Sequence, residues 1–312
     1  MGDGRTVGGV DPSDEWLDRI GGIRQWSRGG ERAPHKPLLL LYVLGRLQRT
    51  GTSKVSYADA EPILTELLRN FGPPGRKTSP AYPFHHLQSD GIWTVDAPAA
   101  SDLGSSPTQL RGSGATGQLP TRFEAALGKD ARLVAIAARF LLDANFPESL
   151  HSDICAVVGL DLEAVEVRAA RQRAASLRRR DPQFRDTVLV AYEYRCAMCS
   201  YDGRLGAEAV GLDAAHVRWW AFEGPDSIDN ALCLCSFHHK LLDRGVVGIA
   251  DDYTVSVSAR FVGRGHTAEV LVLDLLGRPL QAPQRGQPLP GLDHVQWHRS
   301  QVFSGPARIP AT

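Results

Sequence analysis

Apolar positions recur at helical spacing through the first half of the chain and shift toward alternation near its end. Trp16, Ile20, Ile23 and Trp26 are three and four residues apart and predict a short amphipathic helix despite Gly21-Gly22. The apolar run from Leu38 to Leu47 follows Pro37 and predicts a second helix, because a proline in the first turn gives up an N–H that has no helical partner there. Ala60 to Phe71 predicts a third, ended by Gly72-Pro-Pro-Gly75. Phe123, Leu127, Leu133, Ile136, Phe140 and Leu141 predict helix from Arg122 to Leu142, and Phe146 to Gly159 closes this half. Arg76 to His86 combines cations, aromatic rings and two prolines, which predicts a shaped surface loop; Ser89 to Gly91 then turns into a strand at Trp93. Gly104 to Gly117 reads as loop, in which Arg111-Gly-Ser-Gly-Ala-Thr-Gly117 either cradles a phosphate on backbone N–H groups or simply connects. Tyr253–Ser258 and Val270–Leu273 read as strands by alternation and β-branched content.

Length adds a division to this pattern. With 312 residues, two domains are expected: 1–160, mainly helical, and 183–312, joined by a helical linker over 161–182. The fold class is α+β. The longest apolar run, Leu38 to Leu44, falls far short of the ~20 residues that cross a bilayer, and Met1-Gly-Asp-Gly-Arg5 lacks the apolar core of a secretory signal. The expectation is a cytoplasmic protein with no membrane partner, in which cysteines serve as ligands rather than disulfides. Charge is balanced, 35 basic against 35 acidic residues, so attraction to nucleic acid has to come from local clusters. Six arginines between Arg168 and Arg180 form one such cluster, suited to phosphate contacts or to a solvated helical linker. The basic loop Arg28 to Lys36 lies at a predicted helix start, a position that favours anions but that any helix start shares.

The chemistry concentrates between Arg195 and Asp243. Cys196-x-x-Cys199 and Cys235-x-x-His238 have the spacing of a closed tetrahedral zinc site, because each two-residue gap lets one tight turn aim two ligands at one ion. A plain zinc ribbon with no catalysis has the same pairs. His216, Asn230 and His239 are harder ligands and bases, of the kind that activate water and hold a hard divalent cation beside a phosphate. Cys233 lies outside both short pairs and reads as strand packing, and Cys155 as a buried thiol. Asp243, one helical turn after His239, is either an orienting carboxylate for that imidazole or a surface aspartate.

Asp213-Ala-Ala-His216, Asn230-Ala-Leu-Cys-Leu-Cys235 and His238-His239 together resemble the HNH endonuclease family, which implies a ββα-metal fold in the C-terminal third. The resemblance makes His216 the general base, Asn230 the residue that steadies its loop, and His239 a ligand of a catalytic Mg²⁺ or Mn²⁺. It makes Cys196, Cys199, Cys235 and His238 the ligands of a structural Zn²⁺. Relatives often carry an acidic metal ligand directly before the first histidine; Ala215 stands there, and Asp213 is the carboxylate nearest in sequence.

His35-Lys36-Pro37 with the following leucines, and Tyr82-Pro83-Phe84-His85-x-Leu87 with Asp90-Gly91-x-Trp93, resemble the sulfur-binding domain of phosphorothioate-dependent type IV restriction endonucleases. Joined to an HNH module, this implies an enzyme that binds phosphorothioate-modified double-stranded DNA and cleaves it nearby. Arg32, His35, Lys36, Arg76, Tyr82, Pro83, Phe84, His85 and Arg111 are the expected DNA- and sulfur-contacting residues. A hollow made by the Pro83 ring and Tyr82 would favour a polarisable sulfur over a strongly hydrated oxygen, which loses water there without compensation. One HNH site cuts one strand, so double-strand cleavage predicts a homodimer or two encounters. An HNH nuclease for unmodified DNA and a non-catalytic zinc-dependent DNA-binding protein are the competing readings.

Overall fold

A computed structural model describes residues 12–23, 33–74, 79–98, 104–161, 181 and 183–309, without the side chains of 12–14 and 131. Trp26, Arg32, Arg76 and the arginines from Arg168 to Arg180 lie outside the described residues, as does nearly all of the expected linker.

The first half is helical around one central helix. Helix α1 is Pro12–Gly21 and α2 is His35–Thr50. Helix α2 buries every residue from Lys36 to Gly45, the mark of a helix surrounded on all sides. Its neighbours are α3 (Tyr57–Phe71), α4 (Ala81–His86), α7 (Ala131–Asn145) and α8 (Glu148–Val158), with the short α5 (Pro107–Gly112) and α6 (Thr121–Lys129) outside them. Ser56 caps α3 by accepting the Asp59 N–H, which starts this helix a turn earlier than its apolar pattern predicts. Strands β1 (Val55–Ser56), β2 (Thr94–Asp96) and β3 (Thr116–Gln118) form a small antiparallel sheet with β3 in the centre.

Two glycines mark where backbone must approach closely. A Cβ on Gly117 would lie 2.1 Å from the Trp93 ring, and one on Gly45 would lie 2.2 Å from the Val158 carbonyl oxygen on α8. Gly45 is thus what lets α2 and α8 pack at backbone distance. Gly45→Ala is expected to lower stability by about 1–3 kcal/mol, the usual effect of overpacking, despite the better helix propensity of alanine; chemical denaturation checks this.

Several expectations are corrected here. The segment expected as loop, Arg76 to His86, contains α4, and a 3₁₀ turn, Leu87–Asp90, follows it; Pro83 is the third residue of α4, where no helical N–H is required, and Ala81, Phe84 and Leu87 supply a buried face. The Gly104–Gly117 loop contains α5, with Pro107 in its first turn, and the centre strand β3. Asp130 divides the stretch from Arg122 to Leu142 by capping the Arg132 N–H, so α6 and α7 are separate helices. Val270–Leu273 is not a strand: helix His266–Leu271 and a 3₁₀ turn, Leu273–Leu275, occupy it. Its buried side chains are Val272 and Leu275, three apart rather than two.

The second half opens with α9 (Phe184–Ala191) and the minor hairpin β4 (Arg204–Leu205) and β5 (Glu208–Ala209). Its centre is the antiparallel pair β6 (Leu212–His216) and β7 (Ala231–Cys235), followed directly by α10 (Ser236–Asp243). The register sets Leu212 opposite Cys235 and His216 opposite Ala231. A further hairpin, β8 (Val247–Ile249) with β9 (Val255–Val257), packs on α10 and on the helix Leu292–Gln301. His298, on that last helix, is buried and bonds the Leu242 carbonyl at 3.0 Å.

The two halves share apolar packing. Trp219, Trp297 and Val302 belong to the same buried cluster as α2, and the Arg244 guanidinium lies 4.7 Å above the Phe71 ring. Lys240 on α10 reaches Asp153 on α8 at 2.8 Å. Among the described residues, no helix is long and apolar enough to cross a membrane.

Candidate nuclease and metal sites

The zinc-type donors converge. Cys196, Cys199, Cys235 and His238 place their ligand atoms within 4.8 Å of one another. Cys199 and Cys235 sulfurs are 4.0 Å apart, and His238 Nδ1 lies 3.7 Å from Cys196 Sγ and 3.2 Å from Cys235 Sγ. Tetrahedral zinc with Zn–S bonds of about 2.3 Å spaces sulfurs by roughly 3.8 Å, so the donors fit that ion. Leu271 O accepts from His238 Nε2 at 2.8 Å, which leaves Nδ1 as the ligand nitrogen. Hydrogen bonds from Cys199 and Cys235 hold the Cys196 thiol far below its ordinary range. Burial would push the His238 imidazolium down, but Cys196 and Cys235 raise it to about 10. Cys233 is buried on β7 apart from this group, and Cys155 is a buried free thiol raised by burial to about 11.

A second constellation lies beside it in a cleft of about 480 Å³, lined by residues that include His216, His239, Asp213 and Asp243. His216 ends β6. Its ring stacks on Phe184 at 4.5 Å, and its Nε2 is 2.8 Å from Asp226 Oδ1. A carboxylate only accepts, so Nε2 is the donor and the neutral ring carries its basic lone pair on Nδ1. The Asp181 N–H holds the other Asp226 oxygen at 2.7 Å. Asp226 was not legible as a site residue; its only signal is an acidic residue in the loop between the first histidine and the asparagine.

Asn230 is fully buried and ties that loop down. It accepts from the Arg218 N–H at 2.8 Å and donates to the Arg218 and Pro225 carbonyls, each at 3.0 Å. The peptide next to Asp226 is therefore fixed by the side chain of Asn230. His239 sits between two carboxylates: Nδ1 lies 3.8 Å from Asp213 and Nε2 lies 3.3 Å from Asp243. Burial opposes its protonated form, but Asp243 and then Asp213 hold the imidazolium above its usual range. The His239 bond in turn lowers Asp213. Asp243 is no surface aspartate, since its side chain is 2% exposed.

In the first half the structure separates the expected contacts. Tyr82 is 46% exposed. It stands 4.4 Å from the His86 ring and 6.3 Å from the His35 ring, with His85 4.8 Å from His86. His86, absent from the expected set, belongs to this aromatic surface; burial, His85 and Lys36 lower its pKa. Two of the expected residues lie beneath this surface. Phe84 is fully buried between Tyr57 and Trp93, and its carbonyl accepts the Trp93 indole N–H. Lys36 is buried and bonds Asp90 at 2.6 Å. Pro83 is also buried, and Arg111 on α5 pairs with Glu61 on α3 at 2.6 Å.

Residues 13–163 match the family model of the ScoMcrA-like DNA sulfur-binding domain, and residues 196–250 match that of the HNH endonuclease. The chain carries a DNA sulfur-binding domain and an HNH endonuclease domain. Solved structures similar to this chain include the sulfur-binding domain of SprMcrA complexed with phosphorothioated DNA. It is 21% identical, covers 48% of this chain and 95% of that one, and gives a TM-score of 0.42. The sulfur-binding domain of ScoMcrA complexed with phosphorothioated DNA is 21% identical over 46% of this chain and 95% of that one, TM-score 0.40. The modification-dependent TagI restriction endonuclease is 26% identical over 44% of each chain, TM-score 0.32. No curated protein matches the chain. The HNH match begins at Cys196, the first zinc-type donor, and runs past Asp243, so the whole β6–β7–α10 unit lies inside it, while Phe146, Glu148 and Ser149 of the first half line the far side of the cleft.

Proposed function

We propose that this chain is a modification-dependent DNA endonuclease whose domain 1–160 binds phosphorothioate-modified duplex and whose domain 183–312 cuts nearby, with 161–182 as the linker. The observation that carries this reading is the convergence of His216, Asp213 and His239 on one cleft, with Asp226 bonded to His216, in a chain that also has a sulfur-binding domain.

In this mechanism His216 takes a proton from the water that attacks the scissile phosphate in line. Asp226 keeps the ring in one tautomer and stabilises the imidazolium that forms, while Phe184 fixes its plane. Asn230 holds the loop that presents Asp226. Asp213 and His239 would hold Mg²⁺ or Mn²⁺, which supplies charge stabilisation for the phosphate and the leaving 3′ oxygen. Five carboxylates, Asp143, Glu148, Asp181, Asp213 and Asp243, line the cleft against Arg185 and the two histidines, a lining that suits a divalent cation. Cys196, Cys199, Cys235 and His238 would hold Zn²⁺ and fix the start of α10.

At the other end, the exposed face of Tyr82 with His86 and His35 is the proposed contact for sulfur. A sulfur atom is larger than oxygen, more polarisable and a poorer hydrogen-bond acceptor, so an aromatic surface strips it of little hydration. The test is a titration of matched duplexes with and without a single phosphorothioate, followed by cleavage with Mn²⁺. Tighter binding and faster cutting of the sulfur duplex are expected, with the preference reduced in Tyr82→Ala. Equal binding and equal cutting would identify a nuclease for unmodified DNA instead.

A further inference from the structure

We infer that the DNA-reading half of the chain supplies a positioning residue to the nuclease site: Ser149, which acts through Asp243 on His239. The inference rests on the reading of His239 as a ligand of the catalytic cation, and it concerns how that ligand is held.

Ser149 lies in the first turn of α8, ninety-four residues before Asp243, and its hydroxyl donates to Asp243 Oδ2. The same oxygen is 3.3 Å from His239 Nε2. A carboxylate can rotate about its terminal torsion, and each oxygen that is held restricts that rotation. A hydroxyl fixed on α8 removes that freedom and leaves a defined lone pair for Nε2. With Nε2 so engaged, Nδ1 is the nitrogen turned toward Asp213, 3.8 Å away, where the cation would sit. Ser149, Asp243, His239 and Asp213 form one line from α8 across α10 to β6.

The placement of Ser149 is itself set by the reading half. Helix α8 packs on α2 through the Gly45–Val158 approach, and α2 begins at His35, beside Tyr82. Alongside the serine, Asp153 and Lys240 join α8 to α10 by a second strap. The ligand geometry of the cutting site therefore depends on a helix built into the core of the domain that meets the modified DNA.

The test uses the full zinc-loaded chain and reads Mn²⁺ affinity by electron paramagnetic resonance, without DNA, beside binding of a phosphorothioate duplex and melting temperature. Ser149→Ala is expected to weaken Mn²⁺ binding by roughly 10-fold or more, the usual effect of losing a residue behind a metal ligand, with duplex binding unchanged. Ser149→Thr, which keeps the hydroxyl, should restore affinity. Asp153→Asn, which cuts only the neighbouring strap, should leave it alone. Mn²⁺ affinity within twofold of the parent in Ser149→Ala, or an equal loss in Asp153→Asn, would overturn the inference. A parent chain that binds no Mn²⁺ would overturn the His239 assignment as well, and that outcome is visible before any variant is made.

Discussion

His216→Ala is expected to lower Mn²⁺-dependent cleavage of a sulfur-marked duplex by about 10²–10⁴-fold, the range for removing a general base, while duplex affinity stays within twofold. The separation follows from location: His216 ends β6 in the HNH cleft, whereas the aromatic patch of Tyr82, His86 and His35 lies on α4 and at the start of α2. Losing the ring also removes the Phe184 stack, so a melting curve belongs beside the assay. Asp226→Asn should fall between the parent and His216→Ala. An amide can still bond the imidazole, but it can no longer stabilise the imidazolium that forms as the water is deprotonated. Single-turnover cleavage at saturating Mn²⁺ reads both variants. Parent-like turnover in His216→Ala would remove the histidine from the mechanism, whereas a parent chain that cuts no strand with Mn²⁺ would leave a zinc-dependent DNA-binding protein.

The second large effect concerns the thiolate site. Cys235→Ser, or exhaustive chelation, should abolish zinc binding and unfold the HNH core. Structural zinc binds finger peptides with roughly 10–16 kcal/mol of apparent free energy, comparable to the ~5–15 kcal/mol by which whole domains are stable. The start of α10 and the Cys196 turn are joined through these donors. The sulfur-binding half, whose buried core around α2 takes, among the described residues, only Trp219, Trp297 and Val302 from the other half, should keep its helical circular-dichroism signal and its duplex affinity. Because the His238 imidazolium is raised to about 10, zinc must displace a proton at neutral pH, so uptake should release protons and strengthen as pH rises. Metal analysis with calorimetry in two buffers measures both. Cys155→Ala is the matched control, since that thiol lies in the other core and outside the donor group.

The local parts of this molecule were legible before its structure. The zinc pairs are short spacings, and His216, Asn230 and His239 stand in a motif whose strands and helix follow one another directly. Helix α2 is visible because its apolar run is unbroken. The failures share a cause. The strand expected at Val270–Leu273 and the loops expected before His86 and across Gly104–Gly117 are short segments with weak periodicity, where neighbouring elements rather than propensity choose the conformation. Lys36 and Phe84 carry the residue types of a DNA contact, and only the fold shows one paired with Asp90 and the other beneath Trp93.

What the chain determines by itself is the chemistry it possesses: soft sulfur donors and hard imidazole and carboxylate donors, sorted by spacing into two sets. Tertiary structure decides which partners complete them. Asp226 reaches His216 through a loop, and Ser149 reaches Asp243 from the other half of the chain. Neither pairing leaves a periodic signal, because a hydrogen bond across such distances in sequence depends on where two backbones are set by packing, and that is a property of the assembled core.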